Sequence, residues 1–388
     1  MMHSDYLLHL LLHLLSRKNI IISNPKENFI FYSSMLVNLS LILSFTLITF
    51  VITLAVYPLY IKLLKRFKAW KTIRDNTATG EKSEIFSKLH EHKAGTPTMG
   101  GWLFLIIMSM MILSSILLQK LNLINYSLRN QQETYIILFG FFSMGTIGLI
   151  DDILNIKNIG KVKGLSIRAK MFGMVLFAAF ISYWFYAKLG IDYINLRPLA
   201  DKIELWIFSP ILTFIATLFI VNAINITDWL DGLAGGLSAA ILLVFAVATL
   251  LNQTFIATTV LGVCIAILGA FMFYNVNPAK VFMWDSGAFA LGGIVATTLY
   301  LLNMRTWILV PFLILFAIFI IELCSSWLQM SRKKIFKKKL FPIAPFHHLL
   351  EFKGMKEYSI VMQLRLVQVI LALVAILLLL IQYSINSI

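Results

Sequence analysis

The stretch "GTIGLIDDILNI" (residues 145–156) decides how the chain is read. A run of Ile, Leu, Phe and Gly leads into two adjacent carboxylates, Asp151 and Asp152, and turns apolar again. In a water-soluble domain such a pair is an ordinary helix end or cap. This chain is no such domain. It is 59% hydrophobic and only 13% charged over 388 residues, where a soluble domain is about a quarter charged. Its apolar runs are long and continuous, which favours membrane-spanning helices over the alternation of a β-barrel.

Working outward from the pair, ten runs approach the length needed to cross a bilayer: about 32–61, 99–119, 134–150, 170–188, 204–222, 233–251, 255–274, 287–303, 306–330 and 359–384. The sequence predicts an all-α, polytopic integral membrane protein of about ten spans. The opening "DYLLHLLLHLL" is too short to span and predicts an interfacial helix, so residues 1–28 form an N-terminal segment and 29–388 a single transmembrane catalytic domain. No cleavable signal peptide is expected, because no basic region precedes that stretch.

The chain carries 33 Lys and Arg against 18 Asp and Glu, a net charge of +15. In a membrane protein the positive-inside rule accounts for this excess without a nucleic-acid partner. The basic segments after the first, third and ninth runs share one side, which should be the cytoplasm. Cys264 and Cys324 both fall in apolar runs and read as small packing residues. No internal repeat of the solenoid or transporter kind is apparent.

Five polar motifs share that same side: "HKAGTPTMGG" (92–101), "IDDILNI" (150–156), "NAINITDWLDGLAGG" (222–236), "NVNPAKVFMWDSGAFALGG" (275–293) and "PFHHLLE" (345–351). They place Asp151, Asp152, Asp228, Asp231 and Asp285 at the membrane border. An ionisable group costs ~2.5–3.5 kcal/mol at the centre of a spanning helix, and adjacent carboxylates repel. A divalent cation is the simplest compensation, and hard carboxylate oxygens suit Mg²⁺. Neighbours on a helix lie ~100° apart, so Asp151 and Asp152 should serve two roles. Asn222, Asn225, Asp228 and Asp231 recur every third residue and predict a polar stripe winding round a helix end. An Asn/Asp-rich cap and turn is the alternative.

In the fourth motif Asp285 either caps a helix or binds metal. Ser286 and Gly287 offer N–H groups at a helix N-terminus, a natural phosphate site, and Phe282 either stacks on a base or packs. Lys93 with Thr98 and three glycines suits a phosphate, although the order is not that of a Walker loop. His347 and His348 lack the spacing of a zinc site and suit hydrogen bonding to a polar substrate. Together these residues fit phosphoryl transfer from a soluble phosphorylated donor to a lipid acceptor that enters from the membrane.

From about Lys62 to the C-terminus the chain resembles the phospho-N-acetylmuramoyl-pentapeptide transferase family. The likeness rests on "KAGTPTMGG", "GLIDDILNI", "KGLS", "NITDWLDGLAGG", "NPAKVFM", "ALGG" and "PFHHLLEFKGMKE", in the family's order. The resemblance implies ten spans in the bacterial cytoplasmic membrane, a cytoplasmic site and Mg²⁺ dependence. It implies transfer of phospho-MurNAc-pentapeptide from its UDP carrier to undecaprenyl phosphate, giving lipid I and UMP, and a homodimer is compatible with it. Asp151 and Asp152 fall where the lipid phosphate is bound or deprotonated, and Asp285 falls on the metal-binding aspartate. Asn225, Asp228, Asp231, Asn275, Phe282, Lys93, Thr98 and His348 fall on positions lining the nucleoside or pyrophosphate site. His348 joins the three aspartates as a catalytic candidate, and His347 and Asn222 join the substrate contacts. Direct attack by the lipid phosphate needs fewer steps than a covalent intermediate.

The chain departs from the family pattern at three places: Trp229 and Trp284 stand where the family has Gly, and Leu349 replaces a third His. A Gly held at positive φ cannot become Trp without strain. The sequence also admits a sister transferase that loads a UDP-N-acetylhexosamine phosphate onto polyprenyl phosphate, an inactive relative, and a cation-coupled transporter. A transporter should carry its carboxylates near the bilayer midplane rather than at one set of helix ends.

Overall fold

The computed structural model describes residues 25–70, 93, 95–157, 159, 164–196 and 202–387. The interfacial helix expected over 1–28 lies almost wholly outside these residues, as does most of the basic segment after the first span. The described chain runs α1 (Pro25–Arg66), α2 (Trp102–Lys120), α3 (Gln132–Ile156) and α4 (Ile167–Tyr183), which a π-helical turn at Trp184–Lys188 extends. A short hairpin pairs β1 (Tyr193–Asn195) with β2 (Lys202–Glu204). Then follow α5 (Phe208–Thr227), α6 (Leu233–Leu251), α7 (Phe255–Asn275), α8 (Trp284–Arg305), α9 (Leu309–Leu315), α10 (Ala317–Phe336), α11 (Phe346–Phe352) and α12 (Glu357–Ser387).

Among the described residues nine helices are long and apolar enough to cross a membrane, or ten if α9 and α10 count as one broken span. The all-α, polytopic membrane architecture expected from the sequence is therefore present. The ninth run, expected as one straight span over 306–330, bends by 64° between α9 and α10. Phe312, Phe316 and Phe319 stack through the bend, with ring centroids 4.9 and 4.8 Å apart. The Leu315 carbonyl at the break accepts a hydrogen bond from Gln368 of α12 at 2.9 Å. A broken helix inside a bilayer needs such a substitute partner.

Two further boundaries differ from the expectation. The fifth span begins at Phe208 rather than near 204, because residues 202–204 are taken by the hairpin and the Leu205 and Trp206 amides bond back to Asp192. The third span does not stop before the aspartates. It continues to Ile156, and both carboxylates are buried within it. Such burial requires partners from neighbouring helices, and α4 and α8 supply them.

Helices α3 and α8 approach until backbone meets backbone. A Cβ on Gly293 would lie 2.0 Å from the Gly140 carbonyl oxygen, and a Cβ on Gly148 would lie 2.2 Å from that of Asp285. Close contact through small residues is how spans associate without a hydrophobic driving force between them. It also seats the N-terminus of α8 against the Asp151–Asp152 turn of α3.

Candidate active site

Asp151, Asp152 and Asp285 form one buried group, with a ligand oxygen from each lying within 4.8 Å of the others. Although successive on α3, the two aspartates both reach it. Their partners differ. Asp151 accepts from Asn155 at 2.8 Å and from the Leu165 amide at 2.7 Å, and its Oδ2 lies 2.6 Å from Lys170 Nζ. Asp152 accepts from the Ser286 amide at 3.0 Å, while its Oδ1 is buried without a hydrogen-bond partner. Asp285, in the first turn of α8, pairs with Lys170 and accepts from Asn225 Nδ2 at 2.8 Å.

Two of the three carboxylates, Asp151 and Asp285, thus share one ammonium, and a buried oxygen of the third, Asp152, has no hydrogen-bond partner. Leaving a buried charge uncompensated is costly. The oxygen donors, their spacing and the unsatisfied Asp152 Oδ1 fit a hard divalent cation. The metal-ligand candidate Asp285 therefore has both members of the opening pair beside it.

The stripe expected through Asn222, Asn225, Asp228 and Asp231 does not run along one helix. α5 ends at Thr227, Asp228 is its C-cap, and Asp231 lies in the turn before α6. Asn225 reaches Asp285. Asn222 bonds to the Leu218 carbonyl at 2.8 Å and lies against Met174 of α4. Asp228 accepts from the Trp284 amide at 3.0 Å. Burial pushes its carboxyl well above the usual carboxylate range, against the pull of that hydrogen bond.

A second group surrounds Lys93. Its Nζ lies 2.9 Å from Asp231 Oδ1, 2.6 Å from Glu357 Oε1 and 3.1 Å from the Trp229 carbonyl. The Phe282 ring lies 5.8 Å away. Asp231 also accepts from Asn277 and from the Ala279 amide at 3.1 and 3.0 Å. Asn275 spends its amide on the backbone, accepting from Gly232 N at 2.8 Å and donating to Val281 O at 2.9 Å. Thr98 is buried, and its hydroxyl and amide both bond to the Ala69 carbonyl. Beside it, Pro97, Gly100 and Gly101 pair through their backbone with Phe282 and Met283.

The histidines stand at the edge of this group. His347 is buried against Glu322, with Nδ1 to Oε2 at 2.9 Å. His348 Nδ1 lies 2.6 Å from Glu351, and its ring meets that of Trp229 edge-on at 6.3 Å. Trp229 is 49% exposed. Trp284 has φ of +62°, so its backbone adopts the conformation that favours glycine.

Sequence reasoning missed Lys170, Glu322, Glu351 and Glu357. Lys170 had a usable signal: a lysine inside the first turn of an apolar span needs an acid nearby.

The description Glycosyl transferase family 4 matches residues 134–303, and the phospho-N-acetylmuramoyl-pentapeptide-transferase signature 1 matches residues 93–105. Curated relatives carry the name phospho-N-acetylmuramoyl-pentapeptide-transferase. That of Clostridium acetobutylicum is 34% identical over 333 residues, covering 85% of this chain and 96% of the relative. That of Clostridium botulinum is 32% identical over 334 residues, covering 86% and 95%. That of Staphylococcus carnosus is 34% identical over 325 residues, covering 81% and 92%. With these relatives matched over most of their length and at more than 30% identity, the chain belongs to the phospho-N-acetylmuramoyl-pentapeptide-transferase family.

Proposed function

We propose that the protein transfers phospho-MurNAc-pentapeptide from its UDP-linked donor to undecaprenyl phosphate at the cytoplasmic face of the bacterial membrane, with Mg²⁺ as cofactor. The observation that carries this reading is the convergence of Asp151, Asp152 and Asp285 within 4.8 Å, beside a lysine and at the N-terminus of α8.

In this reading an oxygen of the lipid phosphate attacks the phosphorus that carries the sugar. The bond from that phosphorus to the UMP oxygen breaks, UMP departs, and a lipid-linked diphosphate, lipid I, remains. Asp151, Asp152 and Asp285 would hold the cation, whose bound charge neutralises the diphosphate and eases departure of UMP. Lys170 lies between Asp151 and Asp285 and is partly open to solvent, so its ammonium can orient the incoming lipid phosphate. On the donor side, Lys93, Asp231, Phe282 and His348 would meet the nucleoside and its phosphates. Asn225 fixes Asp285, and Asp228 fixes the backbone at Trp284.

The test is UMP release from UDP-MurNAc-pentapeptide by the full-length protein. Release should require both Mg²⁺ and undecaprenyl phosphate, and UDP-GlcNAc should compete poorly. Release without lipid, or equal use of UDP-GlcNAc, would overturn the reading in favour of hydrolysis or of the sister transferase.

A further inference from the structure

Arg365 is a charged residue of the spans that this chemistry does not use. It lies about two turns into α12, an otherwise strongly apolar helix. An intramembrane arginine is expensive and needs a named partner. Its partner is the carbonyl of Gly232: Nε donates to that oxygen at 3.2 Å, and a terminal nitrogen of the guanidinium donates to it as well. Gly232 is the N-cap of α6. A cation beside a helix N-terminus opposes the helix dipole. Neither the membrane nor the dipole therefore explains the arginine, whereas the turn it holds does.

Three polar groups of the Asp231–Gly232 turn have partners from elsewhere in the fold. The Asp231 amide donates to Glu357 Oε1 at 2.7 Å, and Glu357 opens the same helix as Arg365. The Gly232 amide donates to Asn275, and the Gly232 carbonyl accepts from Arg365 as well as from the Gly236 amide of α6 at 3.1 Å. Gly232 sits at φ +75°, a conformation with little steric preference of its own for holding the turn. The guanidinium fits closely. A Cβ on Gly236, one turn into α6, would lie 2.4 Å from Arg365 Nε.

The side chain of Asp231 projects from this turn to Lys93, which forms an ion pair with Asp231 and donates to Glu357 and the Trp229 carbonyl. We infer that Arg365 is a positioning residue for the soluble donor: through the Gly232 carbonyl it fixes the turn that presents Asp231 and Lys93, without touching substrate itself. The inference rests on the proposed function, which assigns the Lys93 group to the donor.

The experiment compares wild type, Arg365→Met, Arg365→Lys, Gly236→Ala and the double variant Arg365→Met/Gly236→Ala, each as full-length protein in nanodiscs. Donor KM, lipid KM, kcat, equilibrium binding of UMP and thermal midpoint are read for each. Losing a charge-assisted hydrogen bond should weaken the donor side about tenfold. Arg365→Met should accordingly raise donor KM and UMP Kd about tenfold, with lipid KM and kcat changed less than about threefold. Arg365→Lys should recover part of the loss. Gly236→Ala should weaken UMP binding by displacing the guanidinium, and the double variant should be no worse than Arg365→Met alone. If Arg365→Met does not fold, Arg365→Lys and Gly236→Ala carry the same comparison. Additive losses in the double variant, or kcat and both KM values worsening together with the thermal midpoint, would overturn the inference. Absence of UMP release by wild type would instead overturn the functional reading, and UMP binding and the melting cycle would still decide the Arg365 contact.

Discussion

The two charged groups at this end of the bundle are built oppositely. Asp151, Asp152 and Asp285 cluster with one lysine, which pairs with Asp151 and Asp285, and an oxygen of Asp152 has no hydrogen-bond partner. Around Asp231, two carboxylates, Asp231 and Glu357, stand with Lys93, and Arg365 grips the adjoining turn. The first group is short of positive charge, and the second is balanced. A buried cluster short of cations is suited to take one up, whereas a balanced cluster is suited to hold a shape. The carboxylates of the first group project from helices α3 and α8, locked by glycine contacts, while Asp231 of the second sits in the turn between α5 and α6. On this view the first group does chemistry and the second receives the donor.

Substitutions can break that contrast, beginning with the most severe. Asp285→Ala removes a carboxylate from the charge-deficient group and should reduce Mg²⁺-dependent UMP release by about 10³-fold; a variant with normal turnover would remove Asp285 from the metal site. Asp151→Asn keeps the shape and should lower kcat by about 10²-fold, with UMP binding, read by calorimetry, intact. Equal loss of UMP binding would show that the two groups are not separable.

A packing change sharpens the same distinction. Gly148→Ala would drive a methyl against the Asp285 carbonyl. It should destabilise the protein by about 1–3 kcal/mol, read as a lowered thermal midpoint in nanodiscs, and should impair turnover more than UMP binding. An unchanged midpoint would mean that the α3–α8 contact is loose. The smallest effect belongs to Trp284→Gly. Relieving a left-handed tryptophan gains about 1–2 kcal/mol, and the entropy of the new glycine returns about 0.5–1 kcal/mol. The net gain should be about 0–1.5 kcal/mol, with donor affinity held or improved. A large loss of affinity would show that the indole is itself a donor contact.

Much of this was legible in the sequence, and the reason differs by residue. The spans follow from hydropathy, so α6 and α7 appear almost where their apolar runs do. The aspartates stand out because acids are scarce and border apolar runs. Strain was expected at Trp229 and Trp284 on condition of a positive φ; that condition holds at Trp284 and not at Trp229. What pairs with the acids was not legible. Lys170 and Arg365 lie outside the motifs, Glu357 closes the last of them, and all three meet their partners only through helix packing. The polar stripe failed because the helix ends at Thr227: periodicity of three is shared by a helix face and by a cap followed by a turn. The break at Phe316 was hidden because the bend falls inside an unbroken apolar run.

The central claim is that Asp151, Asp152 and Asp285 act as one divalent-cation site. Manganese binding followed by electron paramagnetic resonance tests it most directly, in wild type and in Asp151→Asn, Asp152→Asn, Asp285→Asn and Asp231→Asn. The account predicts one tight site in wild type, lost or greatly weakened in the first three variants and retained in Asp231→Asn. Undiminished binding in the first three, or loss confined to Asp231→Asn, would contradict it.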